Sequence, residues 1–267
     1  MIETTPTTTY RVDSHVAWIT LNRPEAMNAL NPELRWQLSQ HLDDIETHDD
    51  IWIGVITGAG DRAFCAGADL KARARLKTAS ASEREAARHF QRETRHIAER
   101  WHFSKPLIAM VNGYALGGGL EIALACDLII AAEHATFGLP EPRRGLIAGS
   151  GGVHRLPRQI GLKTAMGYLL TGRHMSAQRA YELGLVNEVV PLEALEHTVQ
   201  GYVDDILQCA PLAVRATKAS AMAGLDRPLP EAFYHQYPEE LARQNSLDAE
   251  EGPRAFAEKR SPVWTGQ

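Results

Sequence analysis

Two glutamates of this chain sit in small-residue segments that could bring a carboxylate and a backbone N–H to one reacting atom. Glu121 lies in residues 111–127, VNGYALGGGLEIALACD, where three glycines run into an Ala- and Leu-rich stretch. Residues 106–111 (PLIAMV) before it read as a short buried strand and residues 120–125 after it as a helix, so the expected geometry is strand, glycine turn, helix. The first N–H groups of such a helix have no intrahelical acceptor and point beyond the strand end. Glycine leaves that backbone open to a ligand, because no Cβ intervenes. A backbone donor next to a carboxylate can hold a developing oxyanion while a proton moves beside it. Glu141 lies in FGLPEPRRG (137–145) between Pro140 and Pro142. Both prolines stiffen the chain and discourage helix or ladder pairing, which predicts a carboxylate on a rigid loop.

A second segment offers the matching donor. Residues 51–57 (IWIGVIT) read as another apolar strand, followed by Gly58-Ala59-Gly60 and FCAGADLK (64–71). Small residues again follow a strand, so a second N–H can point into the same space. Two such donors on one acyl oxygen make an oxyanion hole. Taken singly, Glu121 is an ordinary acid in a helix first turn and Glu141 an ordinary loop acid.

Four segments in this order, LNRPEAMNAL (21–30), AFCAGADLK (63–71), VNGYALGGGLEIALACD, and FGLPE with GSGGVHRLPRQIG (149–161), resemble the crotonase superfamily, the enoyl-CoA hydratase/isomerase family. The resemblance covers about residue 10 to about residue 263. It implies an α/β fold, a crotonase-like ββα spiral core carrying the CoA and catalytic site over residues 1–200, and a C-terminal helical oligomerisation region over 201–267. It implies that Glu121 and Glu141 are the catalytic acids, and that Ala68 and Gly118 supply the oxyanion-hole N–H groups. Arg23, Ala26, Ala66, Ala68, Asp69, Leu70, Lys71 and Gly118 match the regions that hold CoA and substrate. In hydratases of the family both acid positions are carboxylates, whereas many relatives with other activities keep one or neither. Having both implies reversible addition of water to the 2,3-double bond of an acyl-CoA through a stabilised enolate, with Glu121 as base on water, Glu141 as acid to Cα, and the reverse assignment open. No metal or redox cofactor is implied, coenzyme A arriving as part of the substrate. A homotrimer, or a hexamer built as a dimer of trimers, is the implied assembly.

Residues 139–158 look more like the carnitinyl/crotonobetainyl-CoA hydratase-like branch, and Ala148 and Ser150 replace the proline and alanine usual there. Double-bond isomerisation or thioester hydrolysis would use the same oxyanion hole with one acid. A non-catalytic acyl-CoA binder would be favoured by a lost acid or an obstructed turn, neither of which is seen.

With 267 residues and 44% hydrophobic content, the chain can bury a substantial core and form one domain with an appendage. A net charge of −5 with interspersed signs does not point to nucleic acid, although Arg143, Arg144, Arg155 and Arg158 could serve an anionic ligand. Three scattered cysteines, Cys65, Cys126 and Cys209, suit a reducing compartment. No apolar run approaches the ~20 residues of a membrane span, and residues 1–10 resemble neither a signal nor a transit peptide. The expectation is a cytoplasmic protein without membrane partners.

Around the site, residues 10–21 read as a hairpin, and Asn31 with Pro32 opens a helix whose Leu34, Leu38, Leu42 and Ile45 share one face. Ser82 and Glu85 suggest a capping box for a long helix reaching Trp101. A strand over 127–131, helices from residue 150, a Ser176-capped helix ended by Gly184 and a strand over 186–190 follow. Helices interrupted at Pro211, Pro228-Leu229-Pro230 and Gly252-Pro253 complete the chain. Residues 1–9 are Thr/Pro-rich and expected to fray. Gly58-x-Gly60-x-x-Ala63 imitates a dinucleotide fingerprint, but FCAGAD does not read as the opening of a long helix. Gly149-Ser150-Gly151 is not G-x-S-x-G. Eleven histidines show no metal-ligand spacing. Lys71 and Arg23 could meet phosphates or be solvated, and Cys65 reads as a small buried hydrophobe.

Overall fold

The computed structural model describes residues 6–267; the first five residues of the segment expected to fray lie outside them. β1 (Thr8–Asp13) and β2 (Val16–Leu21) form the expected hairpin, with Ser14 and His15 at positive φ in its two-residue turn. Asn31 accepts the Leu34 N–H and opens α1 (Pro32–Thr47), whose Leu34, Leu38, Leu42 and Ile45 are buried as the spacing predicts. The chain continues through β3 (Ile53–Gly58), β4 (Ala63–Cys65), α2 (Leu70–Thr78), α3 (Ala81–Arg92), β5 (Leu107–Val111), β6 (Tyr114–Leu116), α4 (Gly118–Ala125), β7 (Leu128–Ala132) and β8 (Thr136–Gly138). A short 3-10 turn at Glu141–Arg144 leads to α5 (Gly152–Ile160), α6 (Leu162–Thr171), β9 (His174–Ser176), α7 (Ala177–Glu182) and β10 (Glu188–Val190). Five helices complete the chain: α8 (Leu192–Leu207), α9 (Pro211–Gly224), α10 (Leu229–Tyr234), α11 (Pro238–Gln244) and α12 (Leu247–Glu258).

Three successive turns of chain, β3–β4, β5–β6 and β7–β8, each place one strand in each of two sheets. The first strands join the order β1-β2-β3-β5-β7-β10, parallel from β2 onward, and the second strands join β4-β6-β8-β9. Because β4, β6 and β8 are parallel neighbours, their carboxyl ends lie side by side. The segments that follow them carry Ala68, Gly118 with Glu121, and Glu141. This winding converts three motifs distant in sequence into one site, at the strand ends where open parallel sheets bind ligands.

The six-stranded sheet is covered on both faces, which explains its continuous apolar runs. Ile53, Val55, Ile108 and Ile130 pack with Leu195, Val199 and Val203 of α8. Ile56, Ala109 and Val111 belong to the larger core with the α1 stripe, Phe64 and Phe137. Helix α8 runs unbroken through residues 200 and 201, so the anticipated division between core and C-terminal region falls within one helix that packs on the sheet.

Several local expectations are corrected. No long helix opens at FCAGAD, but a helix of nine residues that was not expected, α2, follows it, where Asp69 accepts the Ala72 N–H at 2.8 Å. The capping box is Ser80 with Glu83, and α3 ends at Arg92 rather than near Trp101. The loop beyond it is pinned to α1: Arg95 N–H donates to Ser39 Oγ, and Arg100 reaches the Ser39 carbonyl, Asp43 and Glu46. Glu141 opens a 3-10 turn rather than lying in a plain loop, with Pro142 in its first turn, where a missing N–H costs nothing. Pro253 lies inside α12 and does not interrupt it.

Candidate active site

The first half of the site is a crossing of two backbones. Leu30 and Ala68 form a parallel bridge in which Leu30 N–H donates to Gly67 O and Asp69 N–H to Leu30 O. Those two bonds leave the intervening Ala68 N–H turned toward α4. There Gly118 is the first helical residue, so its N–H has no intrahelical acceptor. A Cβ built on Gly118 would stand 3.9 Å from Ala68 N, and one built on Gly67 would stand 3.0 Å from Gly118 N. Gly67 has φ +85°, and a side chain there would also meet Leu116 O at 2.6 Å. The close crossing therefore requires glycine, and it brings the two expected donors together.

The carboxylates reach the same place from α4 itself and from the 3-10 turn after β8. Glu121 is buried in the first turn of α4, and its Oε1 accepts the Gly152 N–H at 3.0 Å. Burial raises its pKa above the ordinary glutamate range, while backbone N–H groups of Gly152 and Ser150 and the charges of Arg35 and Arg155 pull the other way. The 149–152 run is thus not a nucleophile turn; it is the donor cradle for Glu121. Glu141 is half-buried, and its Oε2 has no hydrogen-bond partner among the described residues. Burial raises its pKa as well, the Glu121 charge adds to the rise, and Arg144 opposes it. Two carboxyls that feel each other in a desolvated site share their titration. Such a pair can hold one proton and keep one charge, as paired acid and base work requires.

A groove of about 910 Å³ runs away from this crossing. Arg23, Ala26, Ala66, Ala68, Asp69, Leu70 and Lys71 all line it; Gly118 instead lines a smaller, partly open cavity beside Glu121. Arg23 acts chiefly as a tie: its Nη1 donates to Ala29 O at 2.6 Å and to Asp69 at 3.0 Å. Asn28 holds the same loop down, donating to Ala59 O and Ala63 O and accepting the Arg23 N–H. The LNRPEAMN segment is therefore largely a scaffold for the groove lip. Lys71, Arg75 and Arg144 are the remaining cations along the groove. Cys65 is fully buried, and burial pushes its thiol up to about 12, which fits the packing role expected of it.

Sequence reasoning missed the α2 contributions to the groove, including Arg75 and Leu76, because α2 itself was missed, and it did not place Phe90 of the expected α3 on the groove. Asp69 three residues before Ala72 was the available signal. It also missed Gly152 as the donor to Glu121; the glycine-rich start of a helix was legible, its partner was not. Among the described residues no group of three or more His, Cys, Asp or Glu side chains could hold a metal ion. No helix among them is long and apolar enough to cross a membrane.

Residues 11–267 match the Enoyl-CoA hydratase/isomerase family. The chain is 43% identical over 258 residues to an (E)-benzylidenesuccinyl-CoA hydratase of Thauera aromatica, covering 97% of this chain and 98% of that protein. It is 38% identical over 256 residues to a carnitinyl-CoA dehydratase of Citrobacter koseri, covering 93% and 94%. A crystal structure of an enoyl-CoA hydratase from Bacillus anthracis superposes with a TM-score of 0.87 at 37% identity, covering 98% of this chain and all of that one. An enoyl-CoA hydratase from Mycobacterium tuberculosis H37Rv gives the same TM-score at 38% identity, with 98% and 100% covered.

Proposed function

Since this chain belongs to the enoyl-CoA hydratase/isomerase family and has its fold, we propose that Glu121 and Glu141 are its proton-transfer pair and Ala68 and Gly118 its oxyanion hole. The protein is a hydro-lyase of the enoyl-CoA hydratase type, adding water reversibly across the 2,3-double bond of an acyl-CoA. The nucleotide and pantetheine lie along the groove lined by Ala26, Ala66 and Lys71, and the thioester carbonyl accepts from Ala68 N–H and Gly118 N–H. Water held between the carboxyls bonds to Cβ as Glu121 takes its proton. The π electrons move onto the thioester oxygen, where the two N–H groups stabilise the enolate. The enolate then takes a proton at Cα from Glu141. Glu121 suits the base because the Gly152 N–H stabilises its ionised form; Glu141 suits the acid because its Oε2 has no donor to stabilise a charge. Every step uses a protein group or water, and coenzyme A enters as part of the substrate.

The observation that carries this reading is the confrontation of two raised carboxyls beside two free backbone donors. Isomerisation or thioester hydrolysis needs one acid, so the pair favours hydration. Relatives named for benzylidenesuccinyl-CoA and carnitinyl-CoA both align along nearly the whole chain, so family membership leaves the acyl group to be fixed by this chain's own pocket. Screening the purified protein against a panel of 2-enoyl-CoAs, by loss of the conjugated-thioester absorbance, tests the activity directly; no loss with any member would overturn it.

Assembly as a homotrimer, or a dimer of such trimers, is supported by apolar side chains left exposed on the last helices. Leu225 (77%), Leu229 (80%), Phe233 (78%) and Tyr234 (82%) form a run that a second copy of the chain would cover. Unpaired Cys65, Cys126 and Cys209 support a reducing, cytoplasmic setting.

A further inference from the structure

Behind Glu121 the site continues into a small, partly open cavity of about 30 Å³, lined by Leu30, Leu38, Leu42 and Ile122 together with Arg35, Arg95 and His96. The cations there are unequally partnered. Arg95 is paired with Glu46, and Arg100 nearby is matched by Asp43 and Glu46. Glu121 takes its hydrogen bond from Gly152. Arg35, from the α1 face that lines the cavity, has no acid, carbonyl or hydroxyl partner for its guanidinium among the described residues. Arg155 of α5, beside the cavity rather than in its lining, donates Nη2 to the lining residue Ala98 O at 3.0 Å and lies over the Trp101 ring, but its Nη1 is buried without a partner. Burial weakens the hold of both guanidiniums on their protons, and Glu121 is an acid that both of them feel.

Arg155 Nη1 is withdrawn from water without an acceptor, and the half-buried Arg35 guanidinium has none either; both are costly, whereas an aliphatic side chain in either place would cost nothing. One such cation on the wall of a largely apolar pocket, with a second bonded to the wall residue Ala98 beside it, implies that the ligand brings the acceptor. The groove accounts for the CoA phosphates on the far side of the Ala68–Gly118 crossing, so the acceptor in the cavity belongs to the acyl group. A void this small admits only a few heavy atoms. The anion of that size which an acyl chain carries, and which suits the planar guanidinium fork, is a carboxylate.

We propose that Arg35, with Arg155 behind it, receives a free carboxylate on the acyl chain, so that the substrate class is a 2-enoyl-CoA carrying a second, unesterified acid. This specificity rests on the hydratase reading above, and its test separates the two. Hydration is measured for a short 2-enoyl-CoA ending in a free carboxylate and for the same chain ending in a carboxamide. The wild-type protein is expected to favour the acid by about 10²-fold in kcat/KM, since a site built to pair a polar group strongly rejects the analogue that lacks it. In Arg35→Leu that ratio should collapse toward one, and Arg35→Lys should restore part of it. Equal use of acid and amide by the wild-type protein overturns the proposal without any variant having to fold. A preference that survives intact in Arg35→Leu also overturns it. Hydration of neither compound, nor of any 2-enoyl-CoA in the panel, overturns instead the activity on which it rests.

Discussion

Oε1 of Glu141 lies 2.8 Å from the point where a Cβ on Gly117 would stand. Gly117 holds φ +54° and ψ −124° at the start of α4, a conformation that only glycine adopts readily. One residue thus makes the turn that exposes the Gly118 N–H and clears the space that the second carboxyl fills. Gly117→Ala should fold with a stability cost of ~1–3 kcal/mol from backbone strain and lose about 10²-fold or more in kcat. The measurement is kcat beside Tm: unchanged turnover in a folded variant would mean that Glu141 is not held where the chemistry occurs.

Glu121→Gln and Glu141→Gln keep the shape of each side chain and remove its proton. Each should lower kcat by ~10²–10⁴ while acyl-CoA binding changes little. The double variant should lose much less than the product of the two single losses, because both groups serve one water. Near-wild-type hydration by either single variant would dismantle the two-carboxylate mechanism.

Stability should register the same acids. Burial raises the pKa of Glu141 in the folded protein, so the stabilisation from its protonated form is present below the unfolded-state value and is lost as pH rises through the folded one. A glutamine is neutral throughout. Glu141→Gln should therefore melt above the wild type at about pH 7.5, and the gap should close as pH falls toward the ordinary glutamate value of about 4.3. A constant or inverted difference across thermal scans would mean that Glu141 is not desolvated in the folded state.

The sequence made these acids legible because glycine and proline mark turns whatever surrounds them. The same holds for the Asn31 cap and the α1 stripe, where spacing and burial agree residue by residue. The second sheet was less accessible: β4, β6, β8 and β9 are three residues each, too short to show an alternation. What aligns Ala68, Gly118 and Glu141 is the parallel pairing of three of those strands, and no local pattern encodes such pairing. Arg35 escaped notice for a related reason. In sequence it is one polar residue between buried leucines of an amphipathic helix, and only the fold shows that its guanidinium has no bonded partner among the described residues.

The exposed apolar residues of α10 give a test of assembly. Phe233→Glu combined with Tyr234→Glu places two charges where a second copy of the chain is proposed to pack. Sedimentation should show the wild type as a trimer or hexamer and the double variant as a smaller species. If the wild type sediments as a monomer, the proposed assembly is wrong.

The oxyanion hole can be tested without touching the protein. Replacing the thioester carbonyl of a CoA ligand by CH₂ gives a thioether in which Ala68 N–H and Gly118 N–H have no acceptor. Neither donor can turn elsewhere: Gly118 opens a helix, and the Ala68 N–H is aimed by the paired bonds of Leu30 on either side of it. Donors covered by the ligand and left unpaired should weaken binding by ~1–3 kcal/mol relative to the thioester. Nucleotide and pantetheine contacts are identical in the two ligands, so calorimetry would localise the loss to the carbonyl. The interaction must also strengthen as charge develops, so a ligand mimicking the enolate should bind at least ~10²-fold tighter than the thioester. Equal affinities for thioether, thioester and enolate mimic would show that the crossing of the 67–68 and 117–118 backbones is only a tight packing of glycines, and the catalytic assignment built on it would fall.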